Sequence, residues 1–161
     1  MTLHLTTIAG GNALSPFRAQ QLQPALEAIH PKIAAIAARF VHLVATDAPP
    51  TPEQHERLAA LLTYGDPYQG PVDGAAIIVT PRLGTVSPWA SKATDIARNC
   101  GIAIRRVERI TEYRISLKSG LLGKAPELTA EQLGQIAALL HDRMTESVVA
   151  DRSAAAALFT E

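Results

Sequence analysis

Apolar and polar positions alternate from Leu3 to Ile8 and the run meets Gly10-Gly11, which predicts a first strand closed by a turn. Ser15 followed by Pro16 has the form of an N-cap and a first helical residue. Phe17, Leu22, Leu26 and Ile29 then mark an apolar stripe that ends at Pro31. Ile33 to Thr46 carries two signals: its alanines favour helix, while Phe40-Val41-His42-Leu43-Val44 alternates weakly, and extended structure is expected. Beyond the loop Asp47-Ala48-Pro49-Pro50, Thr51 with Pro52 and Gln54 opens a second helix on Leu58, Leu61 and Leu62.

Gly65 to Gly74, rich in glycine and proline, reads as a central linker, after which the pattern restarts. Ala75 to Thr80 is a short apolar run bounded by Pro81, as in a buried strand, and Ser87-Pro88-Trp89 repeats the cap, proline and aromatic of Ser15-Pro16-Phe17. A helix running to Gly101 leads to an extended stretch from Ile102 to Leu117, with Val107, Arg109, Tyr113 and Ile115 as facing positions. A loop through Gly120 and Gly123 then reaches Thr129, another N-cap. The segment Thr51-Pro52-Glu53-Gln54 through Leu58-Ala59-Ala60-Leu61-Leu62 matches Thr129-Ala130-Glu131-Gln132 through Ile136-Ala137-Ala138-Leu139-Leu140. Two matched landmarks in one order argue for duplication, with capped amphipathic helices that resemble each other by chance as the alternative.

The expected fold is therefore α/β in the α+β sense: a pseudo-twofold pair of strand, helix, extended pair and helix units, over about residues 1–65 and 75–150. Each unit leaves a sheet face and an edge to be covered by the other. Thr145 to Val149 is expected as an added edge strand. Residues 151–161 read as an alanine-rich tail or the start of a linker, with no stop signal, so the chain is expected to continue.

Fifteen lysines and arginines balance fifteen aspartates and glutamates, so no net field recommends nucleic acid or an acidic membrane as partner. No leader-like N-terminus or apolar span is present, and a single cysteine, Cys100, precludes an internal disulfide. Cytoplasmic localisation follows as the expectation. The five histidines lack zinc-site spacing, so no metal is expected. Cys100 stands at a helix end, where the macrodipole disfavours a thiolate, and a packing role is expected for it.

The densest polar cluster is the loop and helix start from Thr80 to Asp95, with Arg82, Thr85, Ser87, Trp89, Ser91, Lys92 and Asp95 as candidate interface or substrate-cleft residues. A helix N-terminus with added cations suits a phosphate or a carboxylate. The alternative is a capped helix whose Ser87 and Thr85 satisfy backbone groups while Arg82 and Lys92 stay in solvent. His141, Asp142 and Arg143, behind an amphipathic helix, form a second candidate interface or a solvated helix end.

The run Thr80 to Gly101, TPRLGTVSPWASKATDIARNCG, resembles the N-terminal domain of the large single-chain phosphoribosylformylglycinamidine synthases. Ala13 to Arg18, Phe40-Val41-His42, Leu62-Thr63-Tyr64-Gly65 and His141 to Glu146 resemble that family in the same order, so the likeness spans about residues 12–146. It implies a domain like a fused dimer of the small subunit that accompanies shorter synthases, with a mainly antiparallel sheet and helices packed on it. It further implies a full enzyme, an ATP-dependent ligase of purine biosynthesis, that makes formylglycinamidine ribonucleotide from formylglycinamide ribonucleotide and glutamine. In that family ATP, magnesium, substrate and the glutaminase cysteine are held by other domains. The resemblance thus implies no cofactor and no catalytic residue here, and an accessory role against the synthetase and glutaminase domains of the same polypeptide. A free-standing phosphometabolite-binding module built on Arg82 to Asp95 is the rival reading.

Overall fold

A computed structural model describes residues 3–71, 75–83, 86–118, 127–149 and 152–159. In chain order they form β1 (His4–Asn12), α1 (Pro16–Ile29), β2 (Ile33–Thr46), α2 (Pro52–Leu61), β3 (Ala75–Pro81), α3 (Pro88–Asn99), β4 (Arg106–Leu117), α4 (Ala130–Leu140), β5 (Glu146–Val149) and a 3-10 helix (Ser153–Phe159).

The five strands make one antiparallel sheet in the order β1-β2-β4-β3-β5. Interchanging the two halves of the chain leaves β1-β2-β4-β3 unchanged: β2 and β4 lie at the centre and β1 and β3 flank them. The extended pair expected in each unit is one long strand, of 14 residues in β2 and 12 in β4. Neither contains Gly, Pro, Asn or Asp, so nothing turns the chain. The second extended stretch begins at Arg106 instead of Ile102, because Ile102 and Ile104 leave the strand path to fill the core under α2 and α3.

The expected turn at Gly10-Gly11 is also corrected, since β1 runs through both glycines. They are there for close approach. A Cβ on Gly10 would stand 2.6 Å from His42 Cε1, and one on Gly11 would stand 2.5 Å and 2.8 Å from the carbonyl oxygens of Asp66 and Tyr64. The linker is thereby tied to β1, and the Asn12 N–H donates to the Asp66 carbonyl at 2.8 Å.

All four helices open on side-chain caps. Ser15 and Ser87 accept from the N–H three residues on, and Thr51 with Gln54 and Thr129 with Gln132 form reciprocal capping boxes. Each cap is worth about 1 kcal/mol. The loop through Gly120 and Gly123 lies outside the described residues, as does Thr85.

Alternation along the strands sends two sets of side chains to opposite faces. On one face, Leu26 of α1 and Ile136, Ala137 and Leu140 of α4 pack on Ile36, Ala38, Ile77, Tyr113 and Ile115. At the other end of that face, Leu58 and Leu62, beside α2, and Ala97 of α3 pack on Ile8, Val44 and Val107. Each helix pair joins one helix from each half. The opposite face buries Val41, Leu43, Ile78 and Ile110 under Ala155 and Leu158 of the 3-10 helix. The residues expected to form a tail are therefore, over 152–159, packed on the sheet. Arg152 donates two bonds to Glu112, and Arg106 bonds both Glu108 and the Leu158 carbonyl. Two acidic residues buried on a strand are thus matched by arginines that hold this segment down.

Cys100, expected to pack, is exposed at the end of α3. Its backbone N–H, rather than its sulfur, closes the helix, donating to Ile96 and Ala97 carbonyls. Among the described residues no helix is long and apolar enough to cross a membrane.

Candidate functional site: an arginine-lined cleft at the centre of the sheet

Between the two helix-covered cores the same face of the sheet carries Phe40 and His42 from β2 and Arg109 and Thr111 from β4. His42 lies opposite Arg109 and Phe40 opposite Thr111 in the ladder. β3 pairs with β4 only up to Val79↔Thr111, and the Arg106 to Ile110 edge of β4 beyond it is met by α3. Thr94 of α3 takes the place of a strand partner, its hydroxyl accepting the Val107 N–H at 3.0 Å. Ala90, Thr94 and Ala97 form the buried stripe of α3 at helical spacing. Trp89, one position earlier, is thereby set over the centre of the sheet.

There it stacks on His42, with ring centroids 5.6 Å apart and an interplanar angle of 29°. Tyr64 meets the same imidazole edge-on at 5.6 Å. His42 is fully buried, and its hydrogen bonds fix its tautomer. Nδ1 lies 3.2 Å from the Ile8 carbonyl, which can only accept, so Nδ1 carries the proton. Nε2, 2.9 Å from the Tyr64 hydroxyl, therefore accepts from it. The Tyr64 oxygen in turn accepts from Arg109 Nη1 at 3.1 Å. Desolvation by burial, aided by the Arg109 charge and opposed by the Ile8 hydrogen bond, lowers the His42 pKa to about 4, so the ring is neutral near pH 7.

Arg109 is held from several sides. Its guanidinium carbon lies 4.2 Å from the Phe40 ring centre and 4.6 Å from that of Trp89. It borders a cleft of about 280 Å³, whose wall includes Thr80, Pro81, Ser87, Trp89, Thr145 and Glu146. On the far side of Trp89, a smaller apolar groove of about 180 Å³ runs between α2 and α3 along Leu61, Leu62, Lys92 and Ile96.

The candidates from the sequence divide in this setting. Ser87 accepts the Ala90 N–H at 3.0 Å, capping α3, and its hydroxyl points to Glu108 Oε1 at 3.4 Å. Burial raises the Glu108 carboxyl pKa, against the hydrogen bond from Arg106. Trp89 borders both hollows, Lys92 borders the apolar one, and Ser91, Lys92 and Asp95 are exposed. Arg82 is exposed, and its backbone N–H donates to the Thr145 carbonyl at 2.9 Å, which brings the two candidate segments together. Beyond α4, the His141 ring bonds the Ala137 carbonyl, Asp142 accepts the Met144 N–H, and Arg143 is exposed. Asp142 is also joined to Glu146: its N–H donates to the Glu146 carboxylate at 2.9 Å, and the Glu146 N–H donates back to its carbonyl at 2.8 Å.

Sequence reasoning gave no functional role to Arg109, Phe40, His42 or Tyr64. Phe40, His42 and Tyr64 stood only as landmarks and Arg109 as a strand position, because their meeting depends on cross-strand register. Among the described residues no group of three His, Cys, Asp or Glu side chains is placed to hold a metal ion. Glu108 and Glu112 are instead committed to arginines beneath the 3-10 helix.

Fold and site together define an antiparallel α+β domain with an aromatic-walled cleft bordered by one arginine and one glutamate. Residues 39–159, about three-quarters of the chain, match the family described as formylglycinamide ribonucleotide amidotransferase N-terminal. The chain belongs to that family.

Proposed function

We propose that this chain is the accessory N-terminal domain of a formylglycinamide ribonucleotide amidotransferase. It packs on the synthetase domain and supports the geometry of its active site or the transfer of ammonia. The reaction in which it takes part converts formylglycinamide ribonucleotide, glutamine and ATP to formylglycinamidine ribonucleotide in purine biosynthesis, in the cytoplasm, with ATP, magnesium and the glutaminase nucleophile held by other domains. Family membership supports the enzyme, and the interchange of halves in the strand order supports a fused pair of related units.

The observation that carries the docking role is the surface around the joined candidate segments. Leu83, Val86, Met144 and Val148 are large apolar side chains left exposed there, Met144 at 76% and Val86 at 55%, beside the polar groups of Arg82 and Arg143. Apolar groups exposed among polar ones mark a protein interface. The purified chain is expected to show neither glutaminase nor ATP-dependent ligase turnover, and to form a stable complex with a separately expressed synthetase polypeptide of the family. Val86→Glu combined with Met144→Glu is expected to weaken that complex at least tenfold in sedimentation or calorimetry. Turnover by the chain alone, or a complex indifferent to both changes, would refute the reading.

A further inference from the structure

Arg109 is a cation whose position is determined before any ligand arrives. Tyr64 holds one nitrogen, Phe40 and Trp89 lie against the guanidinium, and His42, neutral and tied to Ile8, fixes the direction in which Tyr64 donates. Such a chain removes the rotamer freedom that an arginine ordinarily loses on binding. Among the described residues no carboxylate forms an ion pair with Arg109. With two aromatic rings beside the guanidinium, its in-plane N–H groups beyond the one given to Tyr64 are the polar means of contact left to it, and the residue borders the cleft. The amino end of α3, through Ser87, Pro88 and Trp89, borders the same cleft and adds a positive partial charge.

We infer that this cleft is a carboxylate-binding site in which Arg109 provides the fork of donors and Phe40 and Trp89 provide apolar walls for the carbon chain that carries the acid. Planar guanidinium and planar carboxylate match as bidentate partners. The apolar walls favour an acid carried on carbon over a bare phosphate, which has no apolar surface to lay against them, while Glu146 on the same wall opposes either anion. The inference rests on this geometry and stands apart from the accessory role.

The test is a titration of the nitrogen-15-labelled chain, followed at the Arg109 Nε–H and Trp89 indole N–H resonances, with propionate, glutarate and inorganic phosphate at pH 7.5. Saturable shifts of both resonances with propionate are expected, with a dissociation constant in the millimolar range that one charge-assisted contact gives. Arg109→Gln is expected to weaken binding by roughly tenfold or more. Tyr64→Phe, which keeps the charge and releases its anchor, is expected to weaken it several-fold. Glutarate binding more tightly than propionate identifies a free diacid as the ligand. Equal affinities show that the site reads a single carboxylate on a short carbon chain, the form in which a glutamate side chain presents it. Tighter binding of phosphate than of propionate, or no saturable shift at Arg109, overturns the inference.

Discussion

His42 couples the centre of the sheet to pH. Its ordinary pKa of 6.5 is lowered to about 4 in the folded chain, chiefly by burial. Above about pH 6.5 the ring is neutral in both the folded and unfolded chain. As pH falls from 6.5 to about 4 the unfolded chain takes a proton that the folded one refuses, so stability is lost across that window. The shift corresponds to roughly 3 kcal/mol. Urea unfolding of the protein and of His42→Gln at pH 7 and pH 4 should therefore show a fall that is smaller by about that amount in the variant, and equal falls would assign the pH dependence elsewhere. None of this was visible at residue level in the sequence. A histidine in an alternating run reads alike whether its ring is buried or wet, and only the Ile8 carbonyl, Tyr64 and Trp89 decide.

At the scale of elements, caps were legible and glycines were misread. Ser15, Thr51, Ser87 and Thr129 cap within three residues of themselves, so their chemistry is local and shows in the sequence. Gly10 and Gly11 look like a turn because the groups that require them, the His42 ring and the Tyr64 and Asp66 carbonyls, are distant in sequence. Gly10→Ala and Gly11→Ala should each destabilise by about 2–3 kcal/mol, since a Cβ on Gly11 meets backbone carbonyls at 2.5 Å and 2.8 Å and one on Gly10 meets, at 2.6 Å, the His42 ring that Ile8, Tyr64 and Trp89 hold in place. Thermal unfolding of the two variants checks this, and a variant as stable as the parent would mean that the neighbours of that glycine yield to the added methyl. Arg109 shows the same limit. Its strand was predicted, but its partners come from β2, α3 and the residues after α2.

For the whole molecule, the sheet has helices on one face and the 3-10 helix on the other. Leu158 is 2% exposed against Val41, Leu43, Ile78 and Ile110. Leu158→Ala is expected to cost about 2–4 kcal/mol in chemical denaturation, whereas a free tail in this place would leave the midpoint unchanged. The alanines of this segment have no periodic stripe, which is why it reads as a tail; it is fixed by Arg152 on Glu112 and by Arg106 on the Leu158 carbonyl. The sequence by itself determined the alternation of extended segments with capped helices and the family likeness, which implied the antiparallel sheet, because caps, apolar periods and family motifs are written in neighbouring residues. Only the tertiary structure decided that the polar cluster after β3 meets the segment after α4, that two glutamates are buried under the C-terminal segment, and that Arg109 stands at the cleft. Each of these depends on strand register and packing, which bring together residues separated by tens of positions.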